Sequence, residues 1–364
     1  MDRLLLLVCV LMGFPSLWAE APYLEIPPKH YVVRIAGEAL AIDGKADETA
    51  WGHAQWTTDF MDIEGADKQR PRFRTRVKML WDTEYLYVFA EMEEPHVWGD
   101  IVERDAVIFY NNDFEVFIKP KPEDSLYCEF EVNALGTLWD LLLPRPYRNG
   151  GPAVDAWDLN DTKIGIHIDG TLNDSSDEDE GWSVEMAIPL KPLMKLSAKP
   201  KKIDEGDTWR INFSRVEWEH RMVDGLYERK KDSSTGEFLH EDNWVWTPQY
   251  AIAMHRPEHW GYLQFTYKTP DEEVESLLDP WWQEKQVLFS LHRRLLEYRK
   301  EHGAYPNRLK KLRELKPFES YSIEYEACET AYRLSIDDED TGRLSLGDDG
   351  RISIDEPVAL RGKQ

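Results

Sequence analysis

Cysteine is nearly absent. Only Cys9, Cys128 and Cys328 occur in 364 residues, too few for a disulfide framework. Cys9 lies in an N-terminal apolar run, and the other two sit far apart, so they read as two separate buried thiols. Beyond that first run no apolar stretch approaches the length of a transmembrane helix. Positive charge is in deficit: 44 Lys and Arg face 69 Asp and Glu, for a net charge of -25. That balance argues against nucleic acid and against an anionic membrane surface as partners. It is compatible with neutral ligands and with Ca²⁺, which takes clustered carboxylate and carbonyl oxygens. Catalytic signatures are missing as well. There is no G-x-S-x-G, no H-E-x-x-H, no phosphate-binding loop and no C-x-x-C-H.

Aromatic residues are abundant: 15 Trp, 16 Tyr and 13 Phe. Such a content suits an all-β core, and also a protein that stacks rings on flat ligands. The N-terminus carries Arg3, then the apolar run Leu4–Met12, then Ala19 and Ala21. This pattern reads as a secretory signal peptide over residues 1–19, so the mature chain is expected to be periplasmic or extracellular.

Period-two alternation recurs along the middle of the chain. Thr75–Trp81 and Leu86–Met92 read as a hairpin about a short turn. Phe114–Ile118 and Tyr127–Asn133 flank a loop rich in Lys, Pro, Glu and Asp. In the second of these, Cys128, Phe130 and Val132 face one way and Glu129, Glu131 and Asn133 the other. Further strands are expected over Leu138–Leu143, Lys163–Ile168, Trp182–Pro189, Trp209–Val216, Trp244–Trp246, Ile252–Met254 and Gly261–Tyr267. Asp47 or Thr49 can cap one helical turn that carries Trp51. Many short strands between turn-rich loops predict an all-β, antiparallel β-sandwich over residues 30–268.

The character changes over residues 269–364. Asp279 and Pro280 open a helix whose apolar face holds Leu288, Leu291, Leu295 and Tyr298, and Gly303 ends it. Asn307 caps an expected second short helix through Leu315, and Ser322–Ile354 reads as two to four small strands. This C-terminal helix and small mixed α/β tail are expected to pack on the edge of the sandwich and complete it.

Three chemistries compete for the polar hairpin face. A sugar offers an apolar C–H face and a rim of hydroxyls, which rings and paired polar groups can hold. Glu115, Glu129, Glu131 and Asn133 supply such groups, Arg210 and Asn212 extend them, and Trp98, Tyr110, Trp139 and Trp157 adjoin. A solvated sheet face is the plain alternative. The second chemistry is glycoside processing, which needs two carboxyls at a set separation; among 69 acidic residues some pair always fits. The third is a haem or redox domain using Met254 and His255. For calcium, the acidic turn Asn173–Glu180, which includes Asp174, and the group Asp155, Asp158 and Asp161 are oxygen-rich.

Seven ordered blocks carry a family resemblance: IDGKADETAW (42–51), VKMLWDTEYLYVFAEMEEPHVW (77–98), RDAVIFYNNDFEVFIKP (104–120), YCEFEVNALGTLWDL (127–141), GWSVEMAIPLKPL (181–193), DTWRINFSRVEW (207–218) and MHRPEHWGYLQF (254–265). Together they resemble carbohydrate-binding module family 9, and more closely its exported bacterial relatives, over about residues 38–267. The resemblance implies a β-sandwich, non-catalytic binding of an oligo- or polysaccharide, and bound calcium. It also implies ring stacking and paired polar contacts to a terminal sugar. Glu115 and Asn133 match the family's Glu and Asn, while Glu131 stands where the family has Arg. Phe109 or Tyr110 falls at the first stacking position, and Trp260 is the counterpart for the second.

Overall fold

A computed structural model describes residues 26–269, 272–313 and 315–355. The expected signal peptide lies outside the described residues. In chain order the first elements are β1 (His30–Ile35), α1 (Thr49–His53), β2 (Met61–Asp62), β3 (Thr75–Trp81), β4 (Tyr85–Glu93), β5 (Asp113–Lys119), β6 (Tyr127–Asn133) and β7 (Leu138–Leu143). They continue with β8 (Lys163–Asp169), β9 (Gly181–Pro189), α2 (Leu190–Met194), β10 (Thr208–Glu217), β11 (His220–Val223), β12 (Leu226–Arg229), β13 (Asp242–Val245) and β14 (Gly261–Thr266). The rest are α3 (Trp282–His302), β15 (Ile323–Ala327), β16 (Tyr332–Asp338), β17 (Gly342–Gly347) and β18 (Ile352–Asp355).

The fold is mostly β, and its main body is one curled mixed sheet rather than an antiparallel sandwich, with β11 and β12 paired apart from it. Its order is β7-β6-β5-β10-β14-β1-β3-β4-β9-β8, with β13 on β10 and β2 on β13. This corrects the all-antiparallel expectation. β1 runs parallel to both β14 and β3. It reaches β14 from the far end of the chain, so no tight hairpin forces an antiparallel pairing. The hairpins that were expected do turn tightly. Asp82 Oδ1 accepts the backbone N–H groups of Glu84 and Tyr85, each at 2.7 Å, and so closes the β3–β4 turn.

β10 holds the sheet together. One edge pairs with β5 along its length, while the other pairs with β14 near its start and β13 near its end. Its inward side chains Trp209, Ile211 and Phe213 join Phe114, Val116 and Ile118 of β5 and Phe130 of β6 in the main core. Val77, Met79, Val88, Val184 and Met186, from β3, β4 and β9, reach the same core. The two ends of the sheet therefore share one apolar interior, which is the principal source of stability in such a fold. Cys128 is buried there; Cys328 is exposed, against expectation.

Residues beyond 269 do not complete that sheet. β15–β18 form their own antiparallel sheet. Leu334, Leu344 and Leu346 meet Val287, Leu288, Leu291 and Leu295 of α3 in a separate core. α3 begins two residues later than Pro280 suggests, because Asp279 Oδ1 accepts the Trp281 N–H at 2.9 Å in a preceding turn. Gly303 ends it in the left-handed region, at φ 80°. The expected second helix is only two short 3₁₀ turns, at Leu309–Lys311 and Lys316–Phe318. Ile252–Met254 is irregular rather than a strand.

Candidate functional site

The hairpin β5–β6 sets Glu115 directly opposite Glu131, and Asp113 opposite Asn133. Glu129 lies one pleat along, opposite Phe117. All of these side chains point away from the main core, as alternation dictates. They do not face water. Asp113, Glu115, Glu129, Glu131 and Asn133 are all buried, none more than 6% exposed. Loops cover this side of the sheet: Trp260, Met254, Ile63 and Val245 pack over Phe117, Tyr127 and Leu141 in a second apolar cluster.

Four acidic groups thus share one buried patch, and among the described residues no Lys or Arg forms an ion pair with any of them. Burial raises the pKa of each, because the charged form loses its hydration. Asp113, Glu129 and Glu131 are held well above the usual carboxyl range by burial, reinforced by the charge of Glu115. Burial lifts Glu115 to about 7; the nearby Ser214 hydroxyl opposes the rise, and Glu241 adds to it. Hydrogen bonds are few. Glu131 Oε2 accepts the Phe109 N–H at 3.2 Å, and Asp113 Oδ1 accepts the Val216 N–H at 3.3 Å. Asp113 Oδ2 and Glu129 Oε2 are buried without a partner.

Aromatic rings stand at the margin of the patch. Phe109, half-buried, meets Tyr110 edge-on at 5.0 Å. Tyr110 is 46% exposed. Arg229 of the β11–β12 hairpin lies over the rings of Tyr110 (4.4 Å), Trp218 (4.7 Å) and Phe238 (4.1 Å). On the β7 side Tyr147 is also 46% exposed. Burial raises its pKa to about 12, with the carboxylates of Glu129 and Glu131 adding to the shift. Trp139, half-buried, sits opposite Glu131 in the β6–β7 register, and its indole N–H has no partner.

Several expected contacts are corrected. Asn133 is consumed by the fold: its amide donates to Ile101 O and Asn111 Oδ1, and its Oδ1 accepts from Leu135 and Thr137. Arg210 donates to the carbonyls of Pro257 and Glu258 and covers the Tyr262 ring at 4.0 Å, away from the acidic patch. Trp260 is wholly enclosed, with its N–H on Met254 O at 3.1 Å. It cannot stack on a ligand. Trp98 is likewise buried, stacked on Tyr227. Met254 and His255 are packed side chains, and His255 Nδ1 lies 2.8 Å from the Tyr127 hydroxyl.

The residues expected to hold calcium do not come together. Asp158 groups with Asp105 and Asp140. There the Arg104 guanidinium contacts Asp140 and lies 3.4 Å from Asp158, so a positive charge is already present. Asp174 is spent on its own turn, accepting from Ser176 N–H (2.9 Å) and Oγ (2.6 Å), and Asp155 joins neither group. A second set of closely spaced carboxyl oxygens is Asp113, Glu115 and Glu131.

The sequence reading missed Asp113, Tyr147 and Arg229. Asp113 was legible, since period two carries Glu115 back to it. Arg229 follows the Asp224–Gly225 turn, whose φ values of 52° and 85° suit a tight hairpin. Nothing local marks Tyr147, which arrives from an irregular loop.

Comparison with known proteins agrees with the sequence resemblance over a shorter span. No curated protein matches the chain. Solved structures do match, at low identity. One is a carbohydrate binding module family 9 from Caldicellulosiruptor kristjanssonii in complex with cellotriose: TM-score 0.42, 16% identity, covering 69% of this chain and 100% of that one. The same organism's module with glucose gives TM-score 0.42 and 15% identity, covering 67% and 100%. A putative carbohydrate-binding protein from Bacteroides uniformis gives TM-score 0.46 and 16% identity, covering 65% and 99%. Residues 42–204 match the model of the carbohydrate family 9 binding domain-like family.

Proposed function

We propose that this chain is an exported, non-catalytic carbohydrate-binding protein. Its ligand sits against the exposed rings of Tyr110 and Tyr147, at the margin of the buried acidic patch. The observation that carries this reading is the pair of exposed rings, Tyr110 and Tyr147, on the segments that flank β5–β7 within the family-matched span. Rings cover the apolar C–H face of a sugar. Among the described residues no helix is long and apolar enough to cross a membrane. The N-terminal run Leu4–Met12 supports export.

Calorimetric titration with neutral oligosaccharides, cellotriose among them, tests the reading. Saturable binding is expected, with Tyr110→Ala and Tyr147→Ala each weakening it by about 1 kcal/mol, roughly fivefold. If no neutral glycan binds, the proposal fails. Incubation with polysaccharide is expected to release no reducing sugar; steady release would make the protein an enzyme.

A further inference from the structure

Lys119 ends β5 on the side turned away from the main core. Across the strand pairings it faces Arg210 of β10, which in turn faces Tyr262 of β14. Two cations thus stand side by side and buried, Lys119 4% and Arg210 5% exposed. Like charges directly opposite repel. The first turn of α3 lies over this row, so that Trp282, Lys285 and Gln286 enclose a small pocket with Lys119, Arg210 and Tyr262. Arg210 donates to the carbonyls of Pro257 and Glu258, and Lys285 pairs with Asp279 at 2.7 Å. Among the described residues the Lys119 ammonium forms no hydrogen bond and no ion pair. Burial pushes its pKa down to about 7; Arg210 and Lys285 lower it too, and Glu258 and Glu123 oppose them. Glu258 is already held by Arg148 and Arg293. Gln286 Oε1 is buried without a partner, its Nε2 being spent on Glu258 O at 2.7 Å. A buried donor and a buried acceptor left unpaired in one pocket imply a missing polar group. An oxyanion compensates the cations, helped by the positive end of α3, and one that carries a hydroxyl also satisfies Gln286.

We propose that this pocket binds a phosphate ion, with Lys119 as its principal cation and Gln286 Oε1 accepting its hydroxyl. The pocket lies between the sheet and α3, so the ion fastens the C-terminal module to the sheet. This proposal does not depend on carbohydrate binding, and its test uses inorganic phosphate alone.

The whole chain, dialysed free of phosphate, is titrated with sodium phosphate at fixed ionic strength, chloride making up the balance, reading heat and melting temperature. Saturable heat and a raised melting temperature are expected. Lys119→Met should weaken binding by about tenfold or more. This variant should still fold, melting at or above the phosphate-free wild type, because one of two facing buried cations is gone. Lys45→Met, which removes an exposed lysine, should respond as wild type does. A second readout needs no variant. Lys119 must be protonated to bind, so wild-type affinity should fall about tenfold between pH 8 and pH 9, where phosphate itself no longer titrates. The proposal is overturned if phosphate acts no differently from chloride, or if affinity is flat over that pH range. It is equally overturned if the response survives in Lys119→Met, or if Lys45→Met alone removes it.

Discussion

Arg215 shows what a buried charge needs in this fold. It is enclosed on the inward side of β10, yet donates to Glu94 Oε2 at 2.8 Å, Glu217 Oε2 at 2.9 Å, Thr75 Oγ1 at 3.1 Å and Glu93 O at 2.8 Å. Removing one member of such a group leaves the others uncompensated. Arg215→Met is therefore expected to destabilise the fold by about 3–5 kcal/mol, read from the urea unfolding midpoint. An unchanged midpoint would show that the pairing contributes nothing net. The same contrast separates what could be read from the sequence at single positions. Alternation put Glu115 and Glu131 on one face correctly, since it reports direction alone. It says nothing of what covers that face. Asn133 looked free to bind a hydroxyl, but the turn after β6 engages its amide oxygen, and Ile101 O and Asn111 Oδ1 take its amide nitrogen. Trp260 looked available to stack, but the loops around it close over the ring.

At the level of elements, strands with strong alternation were legible nearly to the residue: β3, β6 and β7 occupy the spans their patterns predict. Short strands without an apolar face, such as β11 and β12, were not, although their Asp-Gly turn was there to read. Partner choice was hidden too, because β1 joins a strand from the far end of the sheet domain. Two glycines show how turns differ in what they demand. Gly303 has φ +80° with open space where a Cβ would go. Gly303→Ala should cost only the left-handed conformation, about 1–2 kcal/mol. Gly44 has φ +88°, and a Cβ there would stand 2.4 Å from His167 N and 2.5 Å from Ile166 C. Those are backbone atoms of β8 and cannot swing aside. Gly44→Ala should therefore lower the melting temperature clearly more than Gly303→Ala, and equal losses would contradict the close packing of this loop on β8.

The whole molecule joins its two cores through a polar seam that no local pattern announces. Glu258, buried beside β14, accepts from Arg148 at 2.8 Å and from Arg293 of α3 at 2.7 Å. Gln286 of α3 donates to the Glu258 carbonyl at 2.7 Å. Ile352 N–H reaches Glu123 O at 3.1 Å, and His292 of α3 lies between Tyr332 and Asn149. Burial lowers the His292 pKa to about 3, Arg148 and Arg293 lower it further, and Glu258 opposes them. The native state therefore holds this histidine neutral, while the unfolded chain protonates it below about 6.5. Its contribution is present above that value and is lost as pH falls from 6.5 towards 3, because the unfolded state then binds the extra proton. Glu258 adds to the same trend at lower pH. Burial alone would raise its pKa, but Arg148 and Arg293 hold it well below the usual range. Its contribution is present above the unfolded value of about 4.5 and lost as pH drops through the folded one. Between pH 7 and pH 5 His292 titrates at this seam alongside His255 and His259, whose pKa values burial also lowers, and the share of His292 is a cost of about 2 kcal/mol by pH 5. Replacing it by Gln, which cannot titrate, should flatten that part of the stability profile. Wild type and His292→Gln are to be compared by urea unfolding at both pH values. The wild type should lose about 2 kcal/mol more than the variant on going to pH 5. Parallel profiles would mean that the seam does not keep His292 neutral, and that the two cores are joined by contacts indifferent to acid.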